Sequence, residues 1–249
     1  MIRFLKDASE YGTYHEALSK NILEDIPGGA HVCDAGCGLG YLSLALAEGC
    51  RKVTAVDVSK DALNVLRENI AAQGKTNIEV LESDIAACPP KRPYDAMVFC
   101  FFGSTHKALR IAKEQCSKTL ILVKRDWRTH RFNLGKKSIE RFTLGSTLEE
   151  LDALGVRAQV RRLALEMGQP FRTLEDAVEF FRTYDKEERS GPIDADEVQS
   201  RLVPIEAGEY RYYLPTVNRV GIIAVDIRDI PDAIDQERFN QEETKGVLL

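Results

Sequence analysis

The sequence lacks several patterns that would assign it to a common class at once. Its six cysteines include no Cys-x-x-Cys pair and several lie in apolar runs, which favours reduced, packed thiols over disulfides or metal ligands. No apolar run approaches the roughly 20 residues of a membrane-spanning helix. The first residues lack the apolar segment of a secretion signal. We therefore expect a cytoplasmic protein with no membrane association and no metal site.

An excess of basic charge is also missing. The formal net charge is −5, which argues against a surface devoted to nucleic acid. Residues 124–141 are the local exception, with seven Lys and Arg residues against Asp126 and Glu140. Such a stretch favours a carboxylate or phosphate on a bound molecule. A solvated loop and helix face is the plainer alternative, and RNA is a third.

What the chain does contain is an alternation of short apolar runs with helical patterns. Because strands that alternate with helices form parallel sheets with right-handed crossovers, the sequence predicts a doubly wound α/β domain. The predicted strands are 32–35, 52–57, 77–81, 95–101, 119–123, 156–165 and 219–226, and the predicted helices that follow or separate them are 42–48, 59–72, 104–115 and 147–154.

Three segments lie outside this alternation, within what we expect to be a single domain over residues 1–249. Residues 1–28 include a helical pattern at 14–25 and predict a helical N-terminal cover. Residues 166–213 carry two predicted helices and suggest a helical lid insertion. Residues 227–249 are rich in Asp and Glu and predict an acidic C-terminal tail.

The most informative stretch is Asp34-Ala35-Gly36-Cys37-Gly38-Leu39-Gly40, which predicts a strand end, a tight turn and a helix start. Glycines let backbone N–H groups approach a ligand closely. Asp57 and Asp84 end the next two strands, on the edge where parallel sheets bind ligands. Asp57 suits ribose hydroxyls and Asp84 an amino group such as that of adenine, with Val58 and Ile85 beside the ring. A tight turn followed by two helix caps is the plainer alternative.

The glycines are spaced G-x-G-x-G, which differs from the dinucleotide fingerprint G-x-G-x-x-G. In addition, the acid two residues ahead of the first glycine would repel a pyrophosphate. Residues 30–103 resemble the core of class I S-adenosylmethionine-dependent methyltransferases. The matching motifs are Asp34–Gly40, Asp57, Ser83-Asp84-Ile85 and the fourth strand, Tyr94-Asp95-Ala96-Met97-Val98-Phe99. The resemblance implies a seven-stranded, mostly parallel sheet with an antiparallel last strand.

The resemblance also implies the cofactor, S-adenosyl-L-methionine, and its product, S-adenosyl-L-homocysteine. Asp34 and the backbone of Gly36, Cys37, Gly38 and Gly40 would hold the methionine part. The ribose would contact Asp57, and the adenine would contact Asp84 and Ile85. Cys100 and Phe101, at the end of the fourth strand, would border the methyl group.

The acceptor has to be read from local features. The fourth strand continues Phe99-Cys100-Phe101-Phe102-Gly103-Ser104, without the Asn/Asp-Pro-Pro-Tyr/Phe signature of enzymes that methylate exocyclic or amide nitrogens. The candidate bases or contacts are His106, His15 and Tyr14. The candidate acceptor contacts are Tyr11, Phe102, Arg125, Tyr184 and Arg211. His31, at the start of the first strand, is expected to be structural.

The sequence therefore predicts methyl transfer from S-adenosylmethionine to a small-molecule acceptor, with an anionic acceptor as one form of this hypothesis. An RNA or protein methyltransferase and a non-catalytic S-adenosylmethionine-binding protein stay open as alternatives. A nicotinamide oxidoreductase is a more distant one because of the glycine spacing. We expect a monomer or homodimer that needs no nucleic-acid partner.

Overall fold

The computed structural model describes residues 2–127, 141–184 and 193–232. A seven-stranded sheet forms its centre. Its strands are β1 (His31–Ala35), β2 (Lys52–Asp57), β3 (Ile78–Glu82), β4 (Tyr94–Cys100), β5 (Cys116–Arg125), β6 (Gln159–Glu166) and, after three strands of a second sheet, β10 (Val217–Asp226). Their order in the sheet is β3-β2-β1-β4-β5-β10-β6, and β10 runs antiparallel to both neighbours. The predicted fold class, a doubly wound and mostly parallel sheet with an antiparallel last strand, is confirmed.

Helices cover the two faces of this sheet. They are α2 (Tyr14–Leu23), α3 (Tyr41–Leu46), α4 (Lys60–Ala72), α5 (Thr105–Gln115) and α6 (Leu144–Ala153), and a further helix, α1 (Ile2–Tyr11), precedes them. Ser59 caps α4 as predicted, since its side chain accepts from the backbone N–H of Ala62. Within the described residues, no helix combines the length and apolarity that a bilayer crossing requires.

Burial on both faces explains why the strands lack clean alternation. Along β4, Met97 and Phe99 pack in the cluster that includes α5 and α6, whereas Ala96 and Val98 pack in the cluster that includes α2 and α3. All four side chains are 0% exposed. Apolar residues at every position of a strand are therefore typical of a central strand that lies between two helical layers.

The segment between β6 and β10 contains the two predicted helices, α7 (Leu174–Tyr184) and α8 (Ala195–Gln199). It also contains a three-stranded antiparallel sheet that the sequence did not predict, in the order β7-β9-β8. Its strands are β7 (Gln169–Phe171), β8 (Val203–Ala207) and β9 (Tyr210–Leu214). We call this second sheet and its two helices the insertion.

The first helix, α1, is attached to the insertion. The ring of Phe4 packs edge-on against Phe171 and Phe180, with centroids 6.2 and 5.2 Å away. The guanidinium of Arg172 donates two hydrogen bonds to the buried carboxylate of Asp7, at 2.6 and 3.2 Å. The N-terminal helix and the insertion thus share one small core and one buried ion pair.

Candidate functional site

The glycine turn connects β1 to α3, and its first and last glycines are closely packed whereas its middle glycine is open. Gly36, Gly38 and Gly40 have φ of 70°, 53° and 75°, in the left-handed region that favours glycine. A Cβ on Gly36 would lie 2.3 Å from the ring of Phe102, and one on Gly40 would lie 2.3 Å from the side chain of Leu66. At Gly38 nothing lies within 4 Å of that position. The middle glycine is therefore the open point of the turn.

The carboxylate of Asp57 fixes this turn from the end of β2. Its Oδ2 accepts from the backbone N–H of Gly38 at 2.9 Å, and its Oδ1 accepts from the N–H of Ser59 at 2.8 Å. A carboxylate has about four lone-pair sites, so two remain for the hydroxyls of a ligand. Asp57 thus holds the turn in place and keeps capacity to bind.

The carboxylate of Asp34 lies beneath the turn and is only 1% exposed. Burial raises its pKa to about 6; the hydrogen bond from the Ser43 hydroxyl, at 2.6 Å, acts in the opposite direction, and the charge of Asp57 raises it further. A buried carboxylate of this kind gains electrostatic energy when a cation is placed beside it.

A cavity of about 220 Å³ opens beside the turn. Its walls come from the glycine turn, the end of β4, the two N-terminal helices and the residue that follows β6. The lining residues are Leu5, Ser9, Tyr14, His15, Asp34, Gly36, Cys37, Leu39, Gly40, Tyr41, Leu42, Cys100, Phe101 and Met167. The structure therefore brings Tyr14 and His15 together with six of the predicted cofactor residues.

His15 and Tyr14 meet the cavity from the start of α2. The His15 ring lies 5.1 Å from the ring of Tyr14 and 5.6 Å from that of Tyr41, centroid to centroid. Desolvation by these surroundings lowers the pKa of His15 to about 4, so its imidazole is neutral at pH 7. The hydroxyl of Tyr14 accepts from the amide of Asn218, at 3.0 Å, and is thereby tied to β10.

The loop after β4 carries Phe101 into the cavity in a strained conformation. Its φ is 53°, which is unfavourable for a bulky residue, and such strain is concentrated at functional sites. Its N–H donates to the carbonyl of Val123 at 3.0 Å. The side chain is 42% exposed, so the ring is available to a ligand.

A buried lysine supports the same loop. The Nζ of Lys124 donates to the carbonyl of Gly103 at 3.0 Å, and the residue is 1% exposed. Burial lowers its pKa to about 8, with the charge of Glu150 opposing that shift. Sequence reasoning placed Lys124 only in a basic stretch. The available signal was its position directly after the buried run of β5.

Three predicted site residues lie in the core instead of the cavity. His106 begins α5 and faces α6, where its Nδ1 is 3.6 Å from Oε2 of Glu150, and the residue is 7% exposed. It is not among the residues that border the cavity, because the first turn of α5 folds back onto the sheet. The ring of Phe102 stacks on Phe99 and lies against Gly36. Ile85 is 2% exposed and its side chain packs in the core, so its predicted contact with adenine stays a prediction.

The other predicted adenine contacts lie at the same edge as Asp57. The N–H of Ser83 donates to the carbonyl of Asp57 at 3.0 Å, so the ends of β2 and β3 are adjacent. The side chain of Asp84 accepts from the N–H of Ala86, which makes it a cap of the short 3-10 helix Ile85–Ala87. Val58 is 70% exposed. Asp84 and Val58 are accessible, and their role stays a prediction.

The remaining acceptor candidates do not border the cavity. Tyr11 packs against the rings of Tyr210 and Tyr213. The guanidinium of Arg125 lies 5.3 Å from the Trp127 ring centroid. Arg211 donates to the carbonyls of Gly208 and Tyr210 in its own hairpin.

Parts of two predictions lie outside the described residues. The side chain of Tyr184, at the end of α7, is one, and residues 128–140 of the basic stretch are the other. His31 is structural as expected, with its Nε2 hydrogen-bonded to the hydroxyl of Thr54 at 2.8 Å. All six cysteines are free thiols.

The described fold is a doubly wound α/β sheet with the glycine turn at the C-terminal end of its first strand. Residues 32–123 match the family described as "Methyltransferase domain". Two solved structures share the fold: YcgJ from Bacillus subtilis (13% identity, TM-score 0.54, covering 86% of this chain and 98% of that one) and a SAM-dependent O-methyltransferase from Thermotoga maritima (15%, 0.51, 89% and 66%). Residues 32–123 are therefore similar to a methyltransferase domain, and the chain shares the doubly wound fold of these two structures.

Curated relatives agree over shorter stretches. A protein-L-isoaspartate O-methyltransferase from Methanoculleus marisnigri is 33% identical over 118 residues, or 42% of this chain and 54% of that protein. A ribosomal protein L11 methyltransferase from Caldanaerobacter subterraneus is 43% identical over 65 residues, or 25% of this chain and 21% of that protein. The chain thus spans about half or less of the length of these relatives.

Proposed function

We propose that this protein binds S-adenosylmethionine at the glycine turn and transfers its methyl group to a small molecule. The observation that supports this most directly is the turn itself. Within the matched segment, the buried acid Asp34 lines the cavity together with Gly36 and Gly40. The open backbone of Gly38, between those two glycines, is hydrogen-bonded to the strand-end acid Asp57.

The chemistry of these groups fits the cofactor. S-adenosylmethionine carries an ammonium, a sulfonium and a ribose diol. A buried carboxylate such as Asp34 favours a cation, and the free lone pairs of Asp57 suit two hydroxyls. Asp84 and Val58 would meet the adenine, and Cys100 and Phe101 would border the methyl group.

Held by Asp34, the turn and Asp57, S-adenosylmethionine would supply an electrophilic methyl group, and its displacement by the acceptor would leave S-adenosylhomocysteine. For this in-line displacement the protein contributes positioning and exclusion of water. The cavity walls, Tyr14 and Phe101 among them, would hold the acceptor in line. The neutral imidazole of His15 lines the same cavity and would accept a hydrogen bond from the acceptor's O–H, N–H or S–H group, which orients the reacting atom.

The covering of the cavity supports a small acceptor. Leu5 and Ser9 of α1 and Tyr14 of α2 form part of its wall, so the site lies under the N-terminal helices. A side chain on a folded protein or a base in an RNA helix would have to displace that cover. Protein methylation is the second candidate, because the names of two relatives state protein acceptors.

Calorimetry with S-adenosylmethionine, S-adenosylhomocysteine and NAD tests the cofactor assignment. Asp57→Ala should weaken S-adenosylhomocysteine binding by about 1–3 kcal/mol, the cost of unmaking hydrogen bonds to a charged group. The matched control is Asp61→Ala, which removes an exposed acid in the first turn of α4. Binding of NAD alone would refute the proposal.

A methylation assay with labelled cofactor tests the acceptor. Purified protein is incubated with a small-metabolite extract, with total RNA and with total protein from the same cells. The proposal expects label in the small-metabolite fraction. Label confined to protein or RNA would leave the methyltransferase assignment intact and refute the small acceptor. Binding of S-adenosylhomocysteine without any transfer would favour a non-catalytic binding protein.

A further inference from the structure

We infer that the methyl acceptor is an uncharged molecule with an apolar or aromatic body and one dissociable O–H, N–H or S–H group. This inference rests on the proposed function and names the substrate class of the same cavity. It replaces the anionic acceptor that the basic stretch suggested.

The cavity wall offers no basic side chain. Among the described residues that line it, none is Lys or Arg, and Asp34, which the ammonium of the cofactor would pair, is the only charged side chain. The wall away from the turn consists of aliphatic, aromatic, hydroxyl and sulfur-containing side chains, contributed by α1, α2, the end of β4 and Met167. An anionic acceptor against this wall would lose its hydration without a counter-charge from the protein, which is unfavourable.

Three described cations near this edge of the sheet are engaged with other groups. The Nζ of Lys124 donates to the carbonyl of Gly103, and the guanidinium of Arg125 covers the Trp127 ring. Arg172 is held by the carboxylates of Asp7 and Glu209. Each of these cations would have to give up its present partner to reach an acceptor.

His15 contributes a hydrogen-bond acceptor to the wall. Desolvation of its ring lowers its pKa to about 4, so the imidazole is neutral and keeps one unprotonated nitrogen. The groups that face it are the rings of Tyr14 and Tyr41, and the Tyr41 hydroxyl donates to Glu10 at 2.9 Å. An unprotonated nitrogen suits a methyl acceptor that carries an O–H, N–H or S–H group. A carboxylate has no proton to donate to it.

The test compares matched pairs of acceptors on protein saturated with S-adenosylhomocysteine. Phenol, aniline and benzyl mercaptan are titrated by calorimetry beside their 4-carboxyl counterparts, and turnover of both sets is followed with S-adenosylmethionine. We expect the uncharged members to bind at least about tenfold more tightly, since a tenfold change corresponds to 1.4 kcal/mol. Tighter binding of the carboxylated members, or binding of neither set, would overturn the inference.

A lysine introduced into the wall provides the converse test. Met167→Lys and Leu5→Lys should each shift binding towards the carboxylated members, because each adds a counter-charge. Leu5 is 39% exposed and therefore tolerates the change. Val203→Lys, at a 47% exposed position outside the cavity, is the control. An unchanged preference in both wall variants would refute the inference. If the wild-type protein did not bind S-adenosylhomocysteine at all, the proposed function itself would be refuted.

Discussion

Replacing the buried carboxylate of Asp34 with an amide should stabilise the free protein while it weakens cofactor binding. Its pKa is raised from 3.8 to about 6. At 1.36 kcal/mol per unit, the ionised form costs the folded state about 3 kcal/mol at pH 7. Asparagine has nearly the same shape, and its carbonyl can accept from the Ser43 hydroxyl. Asp34→Asn should therefore raise the free energy of unfolding by up to about 3 kcal/mol.

The pH dependence gives this prediction its sign. A carboxyl whose pKa is raised in the folded state destabilises the protein at every pH at which the unfolded chain is ionised. Under those conditions the folded chain either keeps the proton that the unfolded chain releases or carries a buried charge. The destabilisation is therefore absent below pH 3.8, grows up to about pH 6 and is complete above it. The advantage of Asp34→Asn should follow the same profile.

Urea unfolding of both proteins between pH 4 and pH 8 measures the difference in free energy of unfolding. Calorimetry at pH 7.5 measures the affinity for S-adenosylhomocysteine, which should fall at least about tenfold with the loss of a charged hydrogen bond. A variant less stable than wild type at pH 7, or a difference that does not change with pH, would contradict the reasoning. Asp57→Asn is the matched control. Because its carboxylate accepts two backbone N–H groups, it should lose about 1–3 kcal/mol of stability.

Two further predictions concern the turn and the buried lysine. Gly38→Ala should lose about 1 kcal/mol of folding stability because of its positive φ, and it should bind the cofactor more weakly. Gly40→Ala should lose several times more stability, because its Cβ would meet the side chain of Leu66. Thermal unfolding measures the stabilities, and calorimetry measures the affinities. Lys124 has its pKa lowered from 10.5 to about 8, so wild type should gain about 3 kcal/mol over Lys124→Met as pH rises between those values. A flat difference in urea titrations would show that the lysine is not desolvated.

The central sheet was predictable because its signals are local. Apolar runs such as Ile121–Val123 in β5, each followed by a helical pattern, identify buried parallel strands without any knowledge of distant contacts. The second sheet of the insertion was not predictable in this way, because β7 has three residues and β8 includes Pro204 at an irregular register. Such strands exist only through pairing with β9, which no short window of sequence reports.

The same distinction applies to the site. The glycine turn and the acids Asp34 and Asp57 lie at fixed distances from strand ends, so their placement followed from the fold. Met167 and Leu5 entered the cavity through packing between segments about 160 residues apart in the chain, and only the structure could bring them there. His106 lies away from the cavity for a related reason: its place at the start of α5 follows from local sequence, whereas its burial against α6 depends on a distant segment.

The position of β10 between β5 and β6 has a consequence for the order in which the chain can be completed. During synthesis, residues 116–166 leave the ribosome well before residues 217–226. Until β10 is present, the edge of β5 that β10 covers is unpaired, and β6 lacks its described partner. Unpaired edges of this kind promote association between chains. A chain truncated before residue 217 should therefore aggregate more readily than the full chain.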